Sequence, residues 1–154
     1  SLQGRYYYYK QAPDHGNRFL WMKSSRVRPN VCSQEIRNLQ PGKLYSVKAL
    51  SGDYADLLNG EDAKKLLALS VSIEGAEVIA EKSFQEEWRS NDPSAMGARG
   101  GTYYYWMNLH RVVFRATSGQ AQLVISDWAG DREPGGPAGQ EIICNFIEIQ
   151  PYLE

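Results

Sequence analysis

The sequence predicts an all-β chain folded as a two-sheet antiparallel β-sandwich or jelly roll, with at most one short helix. Two observations predict it. Short runs rich in Val, Ile, Tyr and Leu recur between clusters of Gly, Pro, Asn and Asp. Within several runs apolar and polar residues alternate with period two, as in strands buried on one face. At 154 residues and 17.4 kDa the chain is the size of one domain.

Phe19–Lys23 is the first strand, with Trp21 at its middle and expected in the core. Val31–Arg37 is the second, placing Cys32, Gln34 and Ile36 on one face. Asn38-Leu39-Gln40-Pro41-Gly42 is a turn, because Pro presets φ and Gly takes the left-handed position. Leu44–Leu50 follows, with Tyr45, Val47 and Ala49 on one face, and is expected to lie beside the second strand. Ser51–Tyr54 reads as a loop. Glu61–Leu69 has helical composition and merges into a strand over Leu67–Glu74. Glu74-Gly75-Ala76 is read as a tight turn joining that strand to Glu77–Phe84 as a hairpin.

Residues 85–102 are a long polar connection, which in a compact domain points to function or motion. Tyr103–Ala116 is aromatic and then β-branched, with Val112, Phe114 and Ala116 sharing a face. Ala121–Asp127 alternates again, and Ala129–Gly139 is a Gly/Pro loop. Gln140–Gln150 is the last strand, stopped by Pro151. The total is eight or nine strands.

Composition removes several function classes. Seventeen basic residues against eighteen acidic ones give a net charge of −1, a poor balance for neutralising nucleic-acid phosphates. No apolar run approaches the roughly 18 residues of a membrane-spanning helix. Neither nucleic acid nor membrane is an expected partner. The chain begins at Ser1 and is read as a domain excised from a larger protein, or a processed chain. Cys32 and Cys144 fit either a disulfide or two buried thiols. No C-x-x-C motif is present.

No catalytic constellation stands out. G-x-S-x-G, H-E-x-x-H and the phosphate-binding P-loop are absent. His15 and His110 are the only histidines. Gly97-Ala98-Arg99-Gly100-Gly101 matches no phosphate fingerprint and reads as a flexible loop. Glu86-Glu87 and Asp131/Glu133 read as solvated loop charges. The chain is expected not to be an enzyme.

The aromatic residues carry more information. There are ten Tyr, four Trp and four Phe. Tyr and Trp suit surfaces that are half wet, and their rings stack on the C–H faces of sugars at little entropic cost. Tyr103-Tyr104-Tyr105-Trp106-Met107-Asn108-Leu109-His110 interleaves such rings with hydrogen-bonding side chains. Consecutive aromatics on a strand cannot all face the core, so some meet solvent, a partner or an edge. The candidate ligand-binding residues are Tyr104, Trp106, Asn108, His110, Trp88 and Tyr54. Trp and Tyr would stack, while Asn108 and His110 would bond hydroxyls. Tyr6–Tyr9 and Trp128 are read as packing residues.

Cys32-Ser33-Gln34-Glu35-Ile36, followed by Leu39-Gln40-Pro41-Gly42-Lys43-Leu44-Tyr45-Ser46-Val47, resembles a stretch of galactose-binding-like jelly-roll domains. Many carbohydrate-binding modules appended to bacterial glycoside hydrolases share that stretch. Val113–Ala116, Leu123–Asp127 and Asn145–Ile149 resemble the later strands, so the likeness runs over residues 31 to 149. It implies a secreted, periplasmic or cell-surface bacterial setting. It also implies a carbohydrate ligand and a neighbouring domain of a larger parent. The family's buried Gln corresponds to Gln34, expected to be a core hydrogen-bonder. The Asn/Gly-rich opening strand that carries the family's structural calcium is missing here. No cofactor is therefore expected, and calcium rests on the resemblance alone. The alternatives are a structural sandwich that packs on a catalytic domain and a small glycan-active hydrolase.

Overall fold

The computed structural model describes residues 19–59, 61, 63–89, 106–128 and 138–153. The Tyr6–Tyr9 run read as packing, the Gly97–Gly101 loop, the Asp131/Glu133 pair and His15 lie outside them. Nine strands, one short helix and one 3-10 turn are described. The strands are β1 (Leu20–Lys23), β2 (Val31–Arg37), β3 (Leu44–Asp53), β4 (Ser70–Glu74) and β5 (Ala76–Val78). They continue with β6 (Phe84–Arg89), β7 (Trp106–Ala116), β8 (Gln120–Ser126) and β9 (Glu141–Pro151). The helix α1 spans Tyr54–Asn59, and the 3-10 turn spans Ala80–Lys82.

The strands form two antiparallel sheets, the expected sandwich. The six-stranded sheet runs β1-β9-β3-β7, with β5 and β6 sharing the far edge of β7. The three-stranded sheet runs β2-β8-β4. Between them lies one apolar core. Met22, Val47, Ala49, Val112, Phe114, Ala116, Ile142 and Cys144 project from the larger sheet. Ile36, Ile73, Ala121, Leu123 and Ile125 project from the smaller one. Phe114 is fully buried and stacks on Tyr45 at 5.7 Å between ring centroids.

The turn at Asn38–Gly42 forms as the residue types require. Lys43 N–H donates to the Gln40 carbonyl at 3.1 Å, and Gly42 holds φ +84°. Pro41 and Gly42 thus occupy the central positions of a type II turn. The flanking strands are nevertheless not neighbours. β2 pairs with β8 in one sheet, and β3 pairs with β7 and β9 in the other. The turn carries the chain across the sandwich.

The expected hairpin around Gly75 fails in the same way. Gly75 does turn the chain with φ +75°, but β4 pairs with β8 and β5 with β7. Leu67 and Leu69 are not yet strand. They lie in the coil that leads into β4, and both are buried in the core. The helix also falls earlier than Glu61–Leu69. Asp53 caps it, accepting the N–H groups of Ala55 and Asp56 at 3.0 and 3.2 Å through Oδ1.

Two further expectations are corrected. Trp21 is 54% exposed, because Leu20 and Met22 take the inward positions of β1 and alternation turns Trp21 outward. Gln34 shares the inner face with Ile36, yet it is exposed. It lies on an edge strand of which only Ile36, near the end, is buried. Cys32 and Cys144 are free thiols, the first exposed and the second buried.

Candidate functional site

Alternation assigns the outer face of the six-stranded sheet. On β6, Phe84, Glu86 and Trp88 point outward opposite Arg111, Leu109 and Met107 of β7. On β3, Lys48 and Leu50 stand opposite Arg111 and Leu109 on that same face. Phe84 and Trp88 are 38% and 41% exposed, and four residues of strand set them roughly 13 Å apart. The Arg111 guanidinium lies over the Phe84 ring, 5.4 Å from its centroid.

At the opposite edge of the face, Trp21 of β1 stands opposite Ile143 of β9. Its ring meets Tyr54 at 5.9 Å, and Tyr54 meets Phe19 at 6.5 Å. Leu57 of α1 and Ile143 form a small buried cluster beneath these rings. Beside Trp21, Lys23 pairs with Glu141 at 3.5 Å. The face therefore carries aromatic rings at both edges, four strand spacings or roughly 19 Å apart.

The inner face of β3 and β7 changes character along its length. Val47, Ala49, Val112 and Phe114 give way to Ser51, Asp53, His110 and Asn108. These polar groups are satisfied within the fold. Asn108 Oδ1 accepts the Leu67 N–H at 2.6 Å and the Gln85 amide at 2.9 Å, and its Nδ2 donates to the Lys65 carbonyl at 2.8 Å. His110 Nε2 lies 2.7 Å from Ser51 Oγ. Burial pushes the imidazole down to about 4, so it is neutral near pH 7.

Lys65 bridges Asp53 at 3.0 Å and Asp56 at 2.7 Å. Burial alone would raise the Asp53 carboxyl. Hydrogen bonds from Gln140, Lys65 and the Asp56 N–H, with the Lys65 charge, outweigh it and hold the carboxyl below its ordinary range. A carboxylate so occupied has no lone pair or proton to offer a substrate. Among the described residues, no group of three or more His, Cys, Asp or Glu side chains could hold a metal ion. A cavity of about 440 Å³ opens beside this region, lined by Leu67–Val71, Ser83–Gln85 and His110–Val112.

The sequence-derived candidates therefore separate. Tyr104 lies outside the described residues. Asn108 and His110 are 1% and 3% exposed, so neither offers a hydroxyl-binding group at the surface. The even-numbered positions of β7 face the opposite sheet, which is why both point inward. Trp106 is half-buried at the rim, with Lys64 5.1 Å and Arg89 5.7 Å from its ring centroid. Trp88 lies on a strand, not a loop, and is exposed. Tyr54 opens α1 and buttresses Trp21. Trp128 packs at the rim, where its indole N–H donates to the Ser25 carbonyl at 3.0 Å. Sequence reasoning did not place Trp21 and Phe84 on an exposed face. A signal was present: by period two, Trp21 shares a face with Lys23, and Phe84 with Glu86 and Trp88.

Compared with protein-family models, curated proteins and solved structures, the chain finds no match.

Proposed function

We propose that the chain is a non-catalytic carbohydrate-binding or accessory module of a larger secreted bacterial protein, similar in kind to galactose-binding-like domains. One observation carries the reading. Three rings, Trp21, Phe84 and Trp88, stand 54%, 38% and 41% exposed on the outer face of one sheet. Exposed apolar rings on a rigid sheet, with charged and polar groups between them, suit the stacking of sugar C–H faces. Two stacking sites on one plane favour an extended glycan over a single sugar. No bond is broken in this reading. The module raises the effective concentration of its partner at a polymeric substrate.

The test is binding to insoluble polysaccharides and a glycan array, with Trp21→Ala, Trp88→Ala and Trp106→Ala beside the wild type. Loss of retention in a folded Trp21→Ala or Trp88→Ala protein is expected. No glycan binding by the wild type overturns the reading.

A second reading has its own observation. Ile147 and Ile149 of β9 are 42% and 38% exposed. Ile149 stands opposite Val47, whose side chain faces inward, so this stretch lies where the smaller sheet leaves the larger uncovered. An apolar strip of this kind suits packing against a neighbouring domain.

A further inference from the structure

The cations on the outer face are not treated alike. Lys23 has Glu141 at 3.5 Å, and Arg115 has Glu77 at 3.4 Å. Lys48 and Arg111 stand directly opposite one another on β3 and β7, and neither forms an ion pair with a described residue. Like charges directly opposite on adjacent strands repel. Glu148 stands across from Lys48, and Glu86 is diagonal to Arg111, yet neither carboxylate closes on them. Arg111 Nε is also buried without a hydrogen-bond partner. A ligand on this face therefore meets the guanidinium through its Nη groups, which are not among the buried unpaired atoms. The guanidinium lies over the ring of its cross-strand neighbour Phe84, a cation on an aromatic face. The result is two positive charges side by side, the Arg111 one held over a ring, on the same face as the exposed Trp88.

The geometry points to Lys48 and Arg111 as an anion-recognition site, so that the glycan taken by this face is an acidic one whose carboxylate or sulfate group is bound by the two cations. This rests on the carbohydrate reading and narrows it. A planar guanidinium can grip a carboxylate or sulfate through two parallel N–H donors, and Lys48 adds a point charge. Trp88 supplies the stacking surface for a sugar ring, roughly 13 Å from Phe84 along the strand.

The experiment is affinity electrophoresis and calorimetry of the whole chain. The probes are polygalacturonate, its methyl ester, dextran sulfate and neutral dextran, at low and at moderate salt. Polygalacturonate or dextran sulfate is expected to bind at least about tenfold more tightly than its neutral counterpart, with the difference shrinking as salt rises. The better of the two acidic polymers identifies the anion as carboxylate or sulfate. Arg111→Gln is expected to abolish the acidic preference. Arg111→Lys should restore part of it, and Lys48→Gln should weaken it severalfold. Trp88→Ala should reduce binding to every bound polymer. Equal binding of acidic and neutral polymers, or an acidic preference untouched by Arg111→Gln, overturns the anion site and leaves the carbohydrate reading standing. Binding of none of the four polymers, with none found on the glycan array either, overturns both. Thermal melts of each variant separate loss of binding from loss of fold.

Discussion

Asn108 is tied to Leu67 across 41 residues of sequence: its Oδ1 accepts the Leu67 N–H at 2.6 Å. The same side chain takes Gln85 and the Lys65 carbonyl, so one amide closes the coil 63–69 onto β6 and β7. The coil has no regular ladder of its own, and Asn108 replaces one. Leu67 and Leu69 can then remain in the core.

Asn108→Ala strands the Leu67 N–H and the Lys65 carbonyl in a buried setting. Each buried group left unpaired costs about 1–3 kcal/mol. The expected loss is about 3 kcal/mol, measured by urea unfolding. Hydrogen exchange should rise first in residues 63–69. An exchange pattern that is uniform across the sheets would contradict the local role.

His110 makes stability depend on pH in a defined window. The unfolded imidazole takes up a proton near 6.5, while the folded one resists until about 4. The unfolded state therefore binds more protons between these values, and stability falls as pH drops from 6.5 towards 4. The loss is on the order of 3 kcal/mol when complete, and above 6.5 the residue adds no pH dependence. Below that window the lowered carboxyl of Asp53 continues the decline as it is protonated. Urea midpoints at a series of pH values test this, and His110→Gln should flatten the slope between 6.5 and 4.

Lys65 holds two carboxylates at once. Its side chain is 36% exposed, so solvent screens part of the interaction. Lys65→Met is expected to cost about 1–2 kcal/mol, less than the loss of a fully buried partner. A double-mutant cycle with Asp56→Asn should recover part of that cost. Independent effects of the two substitutions would remove the ion pair from the account.

The two thiols should be distinguishable in the native state. Cys32 is exposed, whereas burial and the neighbouring Cys32 push the Cys144 thiol up to about 12. A thiol reagent at pH 8 should modify Cys32 rapidly and Cys144 only upon unfolding. Cys32→Ser should abolish the fast phase. Fast modification of both would mean that the core opens near β9.

Trp21 and Phe114 offer a contrast that separates surface from core. Trp21→Ala should change stability by about 1 kcal/mol or less, because the ring is half exposed. Phe114→Ala, at a fully buried position, should cost about 3–5 kcal/mol. Thermal or chemical melts of the two variants decide it. A large loss for Trp21→Ala would make the ring a packing residue.

Strand existence was legible because it depends on local pattern. Val31–Arg37 is found with the expected ends, and the faces of β3, β7 and β8 follow period two. Pro41-Gly42 was legible for the same reason, since φ is a property of those residue types. Sheet membership was not. A turn that leads to a hairpin and one that crosses the sandwich can use the same residues, as Gly42 and Gly75 both demonstrate.

The candidate site was legible only in part. Trp88 and Tyr54 are aromatic residues at the outer face, but Asn108 and His110 turned inward and Trp21 turned outward. Residue type alone does not distinguish a polar group that meets a ligand from one that meets a distant backbone. By itself the sequence determined an all-β chain, its turns and the alternating faces of its strands, because these follow from local sterics and hydrophobic periodicity. Only the tertiary structure decided which face of each strand is covered, because that depends on contacts with residues tens of positions away. Asn108 bonding to Leu67, and Lys48 standing across from Arg111, both come from such long-range pairing.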